Sequence, residues 1–358
     1  MTRIPASLRP PRLPLMKSAF TATLITLCFT SCNSYHPLKD PLTTYKGPFI
    51  ARSAPGVKAT FLGNTTIHLT DGTTDLLVDG FLSRPSILNT FFGLIKPKPE
   101  EIAEQFKLAG ISKVDGLLIG HAHHDHALDA PAIAEKEKCL VMGNTSYRKI
   151  HEGHHLPADK SHLFTVPCDG TKKEFGKFTV SFVKSEHVTA RKFVQKWVEG
   201  EVCTPFKTPA YFSRFKCGDV YAIHIEHPEG SILITTTAGA VPGALDRYRA
   251  DVVFLGIGLL AKETCCQQKT YWHETVEAVK PHTVIPVHWD NFSRKLSRTP
   301  GASTSLSPTP SPPDDVQGAM QVVNTQAKEH RRGVMLMGLR DSFLLHNGKV
   351  HTQQVGIR

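Results

Sequence analysis

The stretch Val114-Asp115-Gly116-Leu117-Leu118-Ile119-Gly120-His121-Ala122-His123-His124-Asp125-His126 sets an apolar run directly against four histidines and an aspartate. A short apolar run bounded by polar residues reads as a buried strand. His121, His123, Asp125 and His126 leave its C-terminal end, where alternate side chains converge on one point. Imidazole and carboxylate are donors that suit Zn²⁺. A connecting loop has no need of this composition, so the run predicts a metal site. His124, between the candidate donors, is expected to point away.

Working outward, Ala59–Leu69 is rich in Thr and Ile and predicts a strand, Asp71-Gly72 a turn, and Asp75–Val78 a second strand, together a β-hairpin. Pro99–Ala109 predicts a helix, with Pro at its start and Gly110 past its end. Further strands are expected at Cys139–Met142, Phe164–Val166, Phe178–Val183, Val220–Ile225, Ser231–Thr235, Asp251–Leu255 and Thr283–Val287, and a last one at Gly333–Met337. Helices are expected at Ala127–Lys138, Tyr271–Val279 and Asp315–His330. Strands come first and then alternate with helices, twice over. That order predicts an α/β protein of two mixed sheets packed together with helices outside.

The pattern H-x-H-x-D-H, here HAHHDH, resembles the signature of the metallo-β-lactamase superfamily, and the similarity runs over about residues 59–293. The resemblance implies a four-layer αββα sandwich with a metal centre at one edge of its sheets. It implies two further ligands, each after a strand: His187 in Ser185-Glu186-His187, and His288 in Val287-His288-Trp289-Asp290. His121, His123 and His187 would hold one metal, and Asp125, His126 and His288 a second. The implied cofactor is Zn²⁺, one or two per chain. Zinc lowers the pKa of bound water to about 7, giving a hydroxide nucleophile at neutral pH. Asp125 is then the catalytic residue that orients that water or takes its proton.

One departure matters. Most two-metal members carry an Asp that bridges the ions, in a turn after the strand matching Ser231–Thr235. Here Thr237 stands in that place. The centre loses a negative charge and a shared ligand. Three outcomes stay open: one tightly held metal, a bridge made by hydroxide alone, or another carboxylate, with Asp290 and Asp246 nearest in sequence. The reading favours two metals held unequally. Ala238–Leu245 and Ala250–Leu259 further resemble the branch of N-acylphosphatidylethanolamine-type phospholipases D and sugar-phosphate lactonases.

The remainder of the 358 residues bounds the setting. Arg3, Arg9, Arg12 and Lys17 precede the apolar stretch 18–31, which ends Phe29-Thr30-Ser31-Cys32. This predicts a signal peptide at 1–31 and export to the cell envelope, with 32–57 as a tether. The ending resembles the bacterial lipoprotein cleavage box, which implies a lipidated Cys32 as membrane anchor; plain secretion or an uncleaved anchor are the alternatives. The hydrolase domain is expected at 58–295. The Ser/Thr/Pro-rich stretch 296–315 reads as a linker or insertion, and 316–358 as a helix and strand completing the domain. The net charge is +10, of which Arg3, Arg9, Arg12 and Lys17 carry four. The mildly basic remainder suggests anionic partners only weakly, and no dense Lys/Arg run argues for nucleic acid. None of the eight Cys forms C-x-x-C; Cys203 and Cys217 share a loop and are a candidate pair in an oxidising compartment. That loop, from Arg191 to Lys216, mixes aromatic and basic residues. It suits an anionic, partly apolar substrate, small or lipid-like, and equally suits an insertion packed on the body. The expected function is hydrolysis of an ester, lactone or phosphodiester of the envelope. The alternatives are a metal-binding lipoprotein without catalysis and a β-lactamase proper. His273, His282, His151, His154 and His155 are expected to be exposed polar residues, and oligomeric state is left open.

Overall fold

The computed structural model describes residues 43–44, 55–189, 196–298 and 314–352. The proposed signal peptide, Cys32, most of the tether, Arg191–Phe193 and most of the 296–315 stretch lie outside the described residues.

Sixteen described strands form two sheets of eight. One sheet carries, edge to edge, β16 (Lys349–His351), β15 (Ser342–His346), β2 (Val57–Phe61), β3 (Ile67–Thr70), β4 (Asp75–Val78), β5 (Gly116–Leu118), β6 (Leu140–Gly143) and β7 (Leu163–Thr165). The other runs β1 (Thr43–Thr44), β14 (Gly333–Leu336), β13 (Thr283–Val287), β12 (Val252–Gly256), β11 (Gly230–Thr235), β10 (Val220–His227), β9 (Phe178–Ser185) and β8 (Thr171–Phe175). Strands β4 to β7 are mutually parallel, as are β11 to β14. A parallel strand covered on both faces must be apolar throughout. β12 (VVFLG) is buried at every position. Phe254 of β12 lies over Phe343 of β15, ring centroids 6.0 Å apart, where the inner faces of the two sheets meet.

Helices cover the outer faces. Pro99–Ala109, Ala130–Glu137 and Thr145–Gly153 pack Ile102, Phe106, Ile133, Tyr147 and Ile150 onto the first sheet. Cys265–Trp272, continued by a wider turn over His273–Glu277, and Val316–Glu329 place Trp272, Val276, Met320 and Val323 against the second. The result is the four-layer αββα sandwich.

Several boundaries differ from expectation. Ala59–Leu69 is two antiparallel strands, not one, because Gly63 (φ +93°) and Asn64 (φ +53°) turn the chain between them. Gly333–Leu336 is not the last strand: β15 and β16 follow and return the C-terminal segment to the first sheet beside β2. The 316–352 segment thus joins both sheets. Helices Ile87–Phe92 and Thr145–Gly153 and strand β8 had no expectation in the sequence. Among the described residues no helix is long and apolar enough to cross a membrane.

Candidate metal centre

The centre lies where strands of both sheets end. β5 delivers His121–His126, β9 delivers His187, and β13 delivers His288. β9, β11, β12 and β13 run the same way, so their C-terminal ends share one edge of the sandwich.

The six predicted residues meet there. Donor atoms of Asp125, His126 and His288 lie within 4.8 Å of one another. Asp125 Oδ2 is 3.4 Å from His126 Nε2 and 3.2 Å from His288 Nε2. His121 Nε2 and His123 Nδ1 are 3.1 Å apart. The His187 ring centroid stands 5.1 Å from that of His121 and 4.7 Å from that of His123. The two groups adjoin, with the rings of His121 and His126 only 3.9 Å apart. His124 turns aside, its ring packed between Phe81, Phe212 and Phe292.

Partners behind the centre set the ring orientations. Asp79 Oδ2 holds His126 Nδ1 at 2.7 Å, and Asp79 Oδ1 accepts from the Gly120 N–H, so one carboxylate fixes both a ring and the loop that carries it. Thr236 Oγ1 sits 3.2 Å from His121 Nδ1. His187 Nδ1 is 3.1 Å from the carbonyl of Val188. In each case the other ring nitrogen is left for the centre, the usual arrangement behind a metal-binding imidazole. His288 has left-handed backbone (φ +62°), and its N–H donates to the carbonyl of Asn64 at 2.8 Å. A strained non-glycine conformation of this kind costs on the order of 1–3 kcal/mol and concentrates at functional sites. Asn64 also donates through its side chain to the Asp125 carbonyl at 2.6 Å, so one residue steadies both ends of the second triad.

The protonation states suit a cation. Burial, with the neighbouring imidazoles, holds His121 and His123 well below the usual histidine range. Burial likewise takes His187 down to about 4. Burial opposes the charge of Asp125, but His126, His288 and His124 outweigh it and keep its carboxyl well below the usual range. Neutral imidazole and ionised carboxylate are the forms that bind metal. His126 is the exception: burial disfavours its charge, yet Asp125 and Asp79 raise it to about 10. Two carboxylates there demand a positive charge, which a bound cation supplies as well as a proton does. The donors of Asp125, His126 and His288 therefore fit a divalent ion, and those of His121 and His123 stand together for a second, with the His187 ring beside them.

Thr237 stands where the bridging Asp was missed, and it has other work. Its Oγ1 accepts from the Val188 N–H at 3.2 Å, tying down the segment after His187. Neither substitute carboxylate takes the bridging role. Asp290 is fully buried, its Oδ2 2.8 Å from Arg84 Nη1 and its Oδ1 accepting from Asn64 N–H at 2.6 Å. Asp246 is exposed beyond Gly243. Cys203 and Cys217, whose pairing the sequence leaves open, are not joined. Both thiols are free, Cys203 exposed and Cys217 buried, because the shared loop sends Cys217 inward against Ala122. His151 is buried too, its Nε2 2.8 Å from the carbonyl of Pro157.

Sequence reasoning missed Asp79, Asn64, Thr236 and Cys217. Asp79 directly follows an expected strand, which was its one signal; the others are set by tertiary contact. A cavity of about 570 Å³ opens beside the centre, lined by His123, His187, Val188, Thr189, Lys196, Val198, Glu199 and Cys217. Next to it the loop's aromatics divide. Phe206, Phe212 and Phe215 are buried, whereas Trp197 and Tyr211 are about half exposed. Phe212 touches Phe91 at 5.3 Å, and Leu88, Phe92 and Leu94 on that neighbouring segment are exposed as well.

A family model described as a β-lactamase superfamily domain matches residues 84–289. Among solved structures, the chain is similar to a possible metal-dependent hydrolase from Veillonella parvula, at 14% identity and a TM-score of 0.50, over 81% of this chain and all of that one. It is similar to the metallo-β-lactamase fold protein YhfI from Bacillus subtilis at 13% identity and a TM-score of 0.49, over 80% and 98% of the two chains. A metallo hydrolase from the archaeon Ignicoccus hospitalis gives 14% identity and 0.47, over 80% and 97%.

Proposed function

The chain belongs to the metallo-β-lactamase superfamily of metal-dependent hydrolases, and on that premise we propose that it is a zinc hydrolase acting on an ester, lactone or phosphodiester bond. The observation that carries this reading is the meeting of five imidazoles and Asp125 in one cluster, two of whose members, His123 and His187, line an open cavity. When bound, the metal supplies Lewis acidity and an acidified water.

The chain's own residues supply the rest. Asp125, kept ionised, accepts a proton or hydrogen bond from the attacking water. Asp79, Thr236 and Asn64 hold the donors in place, so no reorganisation is needed as charge develops. Lys196 at the cavity wall offers a positive charge to an anionic group, and Val188 and Val198 offer apolar contact. The exposed Leu88, Phe92, Leu94, Trp197 and Tyr211 nearby suit a substrate with an apolar tail, small or lipid-like. The resemblance of Ala238–Leu245 to the phospholipase D and lactonase branch supports the same choice of substrate.

The test is turnover by the full-length protein on a phosphodiester, a lactone, a carboxylic ester and a β-lactam, with and without chelator. Cleavage of one of the first three is expected, abolished by chelation and by Asp125→Ala. Cleavage of the β-lactam alone would make it a β-lactamase. Metal uptake with no turnover on any class would leave a metal-binding protein without catalysis, and turnover unmoved by Asp125→Ala would remove that residue's role.

Export is part of the proposal, supported by the basic start, the apolar stretch 18–31 and Cys32. Metabolic labelling with a fatty-acid analogue should tag the wild-type chain and not Cys32→Ala; an untagged wild type rules out the lipid anchor.

A further inference from the structure

We propose that Cys217 is a seventh donor of the metal centre, a thiolate ligand at the end held by His121, His123 and His187. This rests on the metal-centre reading above. The sulfur of Cys217 lies within 4.8 Å of the donor nitrogens of both His121 and His123. The residue is buried, yet it lines the cavity together with His123 and His187.

Its backbone is fixed on both sides. The Cys217 N–H donates to the carbonyl of Val198 at 2.8 Å. Its carbonyl accepts from Ala122 N–H at 3.0 Å and from Asn144 Nδ2 at 2.9 Å. Ala122 is the residue between His121 and His123, so the thiol is registered directly against the two imidazoles. Gly218 makes the approach achievable: it is left-handed (φ +64°), and an added Cβ would come 2.6 Å from Ser146 Oγ and 2.7 Å from Asn144 Nδ2. A buried cysteine that merely filled space would not require this bracing beside a pair of metal-competent nitrogens.

Charge gives the position its purpose. With Thr237 at the bridging place, Asp125 is the one anionic donor among the six predicted ligands, set against two dications. A thiolate adds a second negative charge, beside His121 and His123. Soft sulfur also favours Zn²⁺ over harder ions. On binding, the sulfur–metal bond forms as the S–H proton leaves to solvent, so the step balances with one proton released.

Cobalt(II) reads this directly. Full-length protein, stripped by chelator and kept reduced with a thiol-free reductant, is titrated with Co²⁺ while its absorption is recorded. The expected result is a near-ultraviolet thiolate-to-cobalt charge-transfer band alongside the visible bands of histidine-bound cobalt. Cys217→Ser should abolish the near-ultraviolet band and leave the visible bands, whereas Cys203→Ser on the same loop should keep both. Wild-type protein showing visible bands without charge transfer overturns the thiolate and leaves the metal centre standing. A band that survives Cys217→Ser overturns it as well. No cobalt uptake at all overturns both the thiolate and the metal-centre reading.

Discussion

Single contacts decide whether the donors converge. His288 reaches the centre from a left-handed backbone, and its ring rests on Gly258, where an added Cβ would stand 2.6 Å from Nδ1. That space is closed to any other residue unless the imidazole moves. Gly258→Ala should therefore displace one donor of the Asp125–His126–His288 triad without touching substrate. A misplacement of about 1 Å can cost on the order of 100-fold in rate, and that is the expected fall in kcat. The paired measurement is the number of tightly held Co²⁺ ions per chain, expected to drop while the thermal midpoint stays close to wild type. Unchanged kcat and metal count would show that His288 tolerates the methyl. Thr237 makes the complementary point. Its side chain fastens Val188 rather than bridging metals, so the same turn has exchanged an electrostatic task for a mechanical one.

Elements were legible where local physics sufficed. Pro99–Ala109 and Thr283–Val287 stand where the sequence puts them: the helix has Pro99 at its start and Gly110 at its end, and the strand is an apolar run that needs burial on both faces. The His121–His126 run could be read for the same reason, since it leaves the end of such a strand, whereas His187 and His288 were pointed to by the family resemblance. Three things could not be read locally. The turn through Gly63 and Asn64 hid inside a Thr-rich run that looked like one strand. Strands β15 and β16 follow the polar Arg340-Asp341 and are defined by pairing with β2, which is remote in sequence. Cys217 lies in a long connection between β9 and β10, and only the return of that connection onto Ala122 brings its sulfur to the histidines. No pattern of spacing around Cys217 encodes that return, so the sequence left open even whether Cys217 pairs with Cys203.

At the scale of the molecule, the centre works only if the two sheets keep a fixed relation, because each supplies part of it. A buried ion pair holds them. Arg84 follows β4 in one sheet, Asp290 follows β13 in the other, and both side chains are wholly inaccessible, 2.8 Å apart. The guanidinium also donates to the Phe81 carbonyl and lies over the Phe81 ring, while Asp290 takes the Asn64 N–H. Asn64 in turn holds Asp125 and His288, so the strap and the metal centre share a residue. The sequence offered Asp290 as a replacement bridging carboxylate; the fold commits it to Arg84. Removing one partner of a buried pair strands the other charge, at a cost of about 3–5 kcal/mol, whereas an apolar replacement of both is often close to neutral. Asp290→Ala should accordingly lower the unfolding free energy by about 3–5 kcal/mol in urea titrations. The double variant Arg84→Met with Asp290→Leu should recover most of that loss. Its stability would return without the Asn64 contact, so metal affinity should remain weakened in the double variant. A single-variant cost of under about 1 kcal/mol, the range of an exposed pair, would mean that the sheets are held by their apolar faces alone.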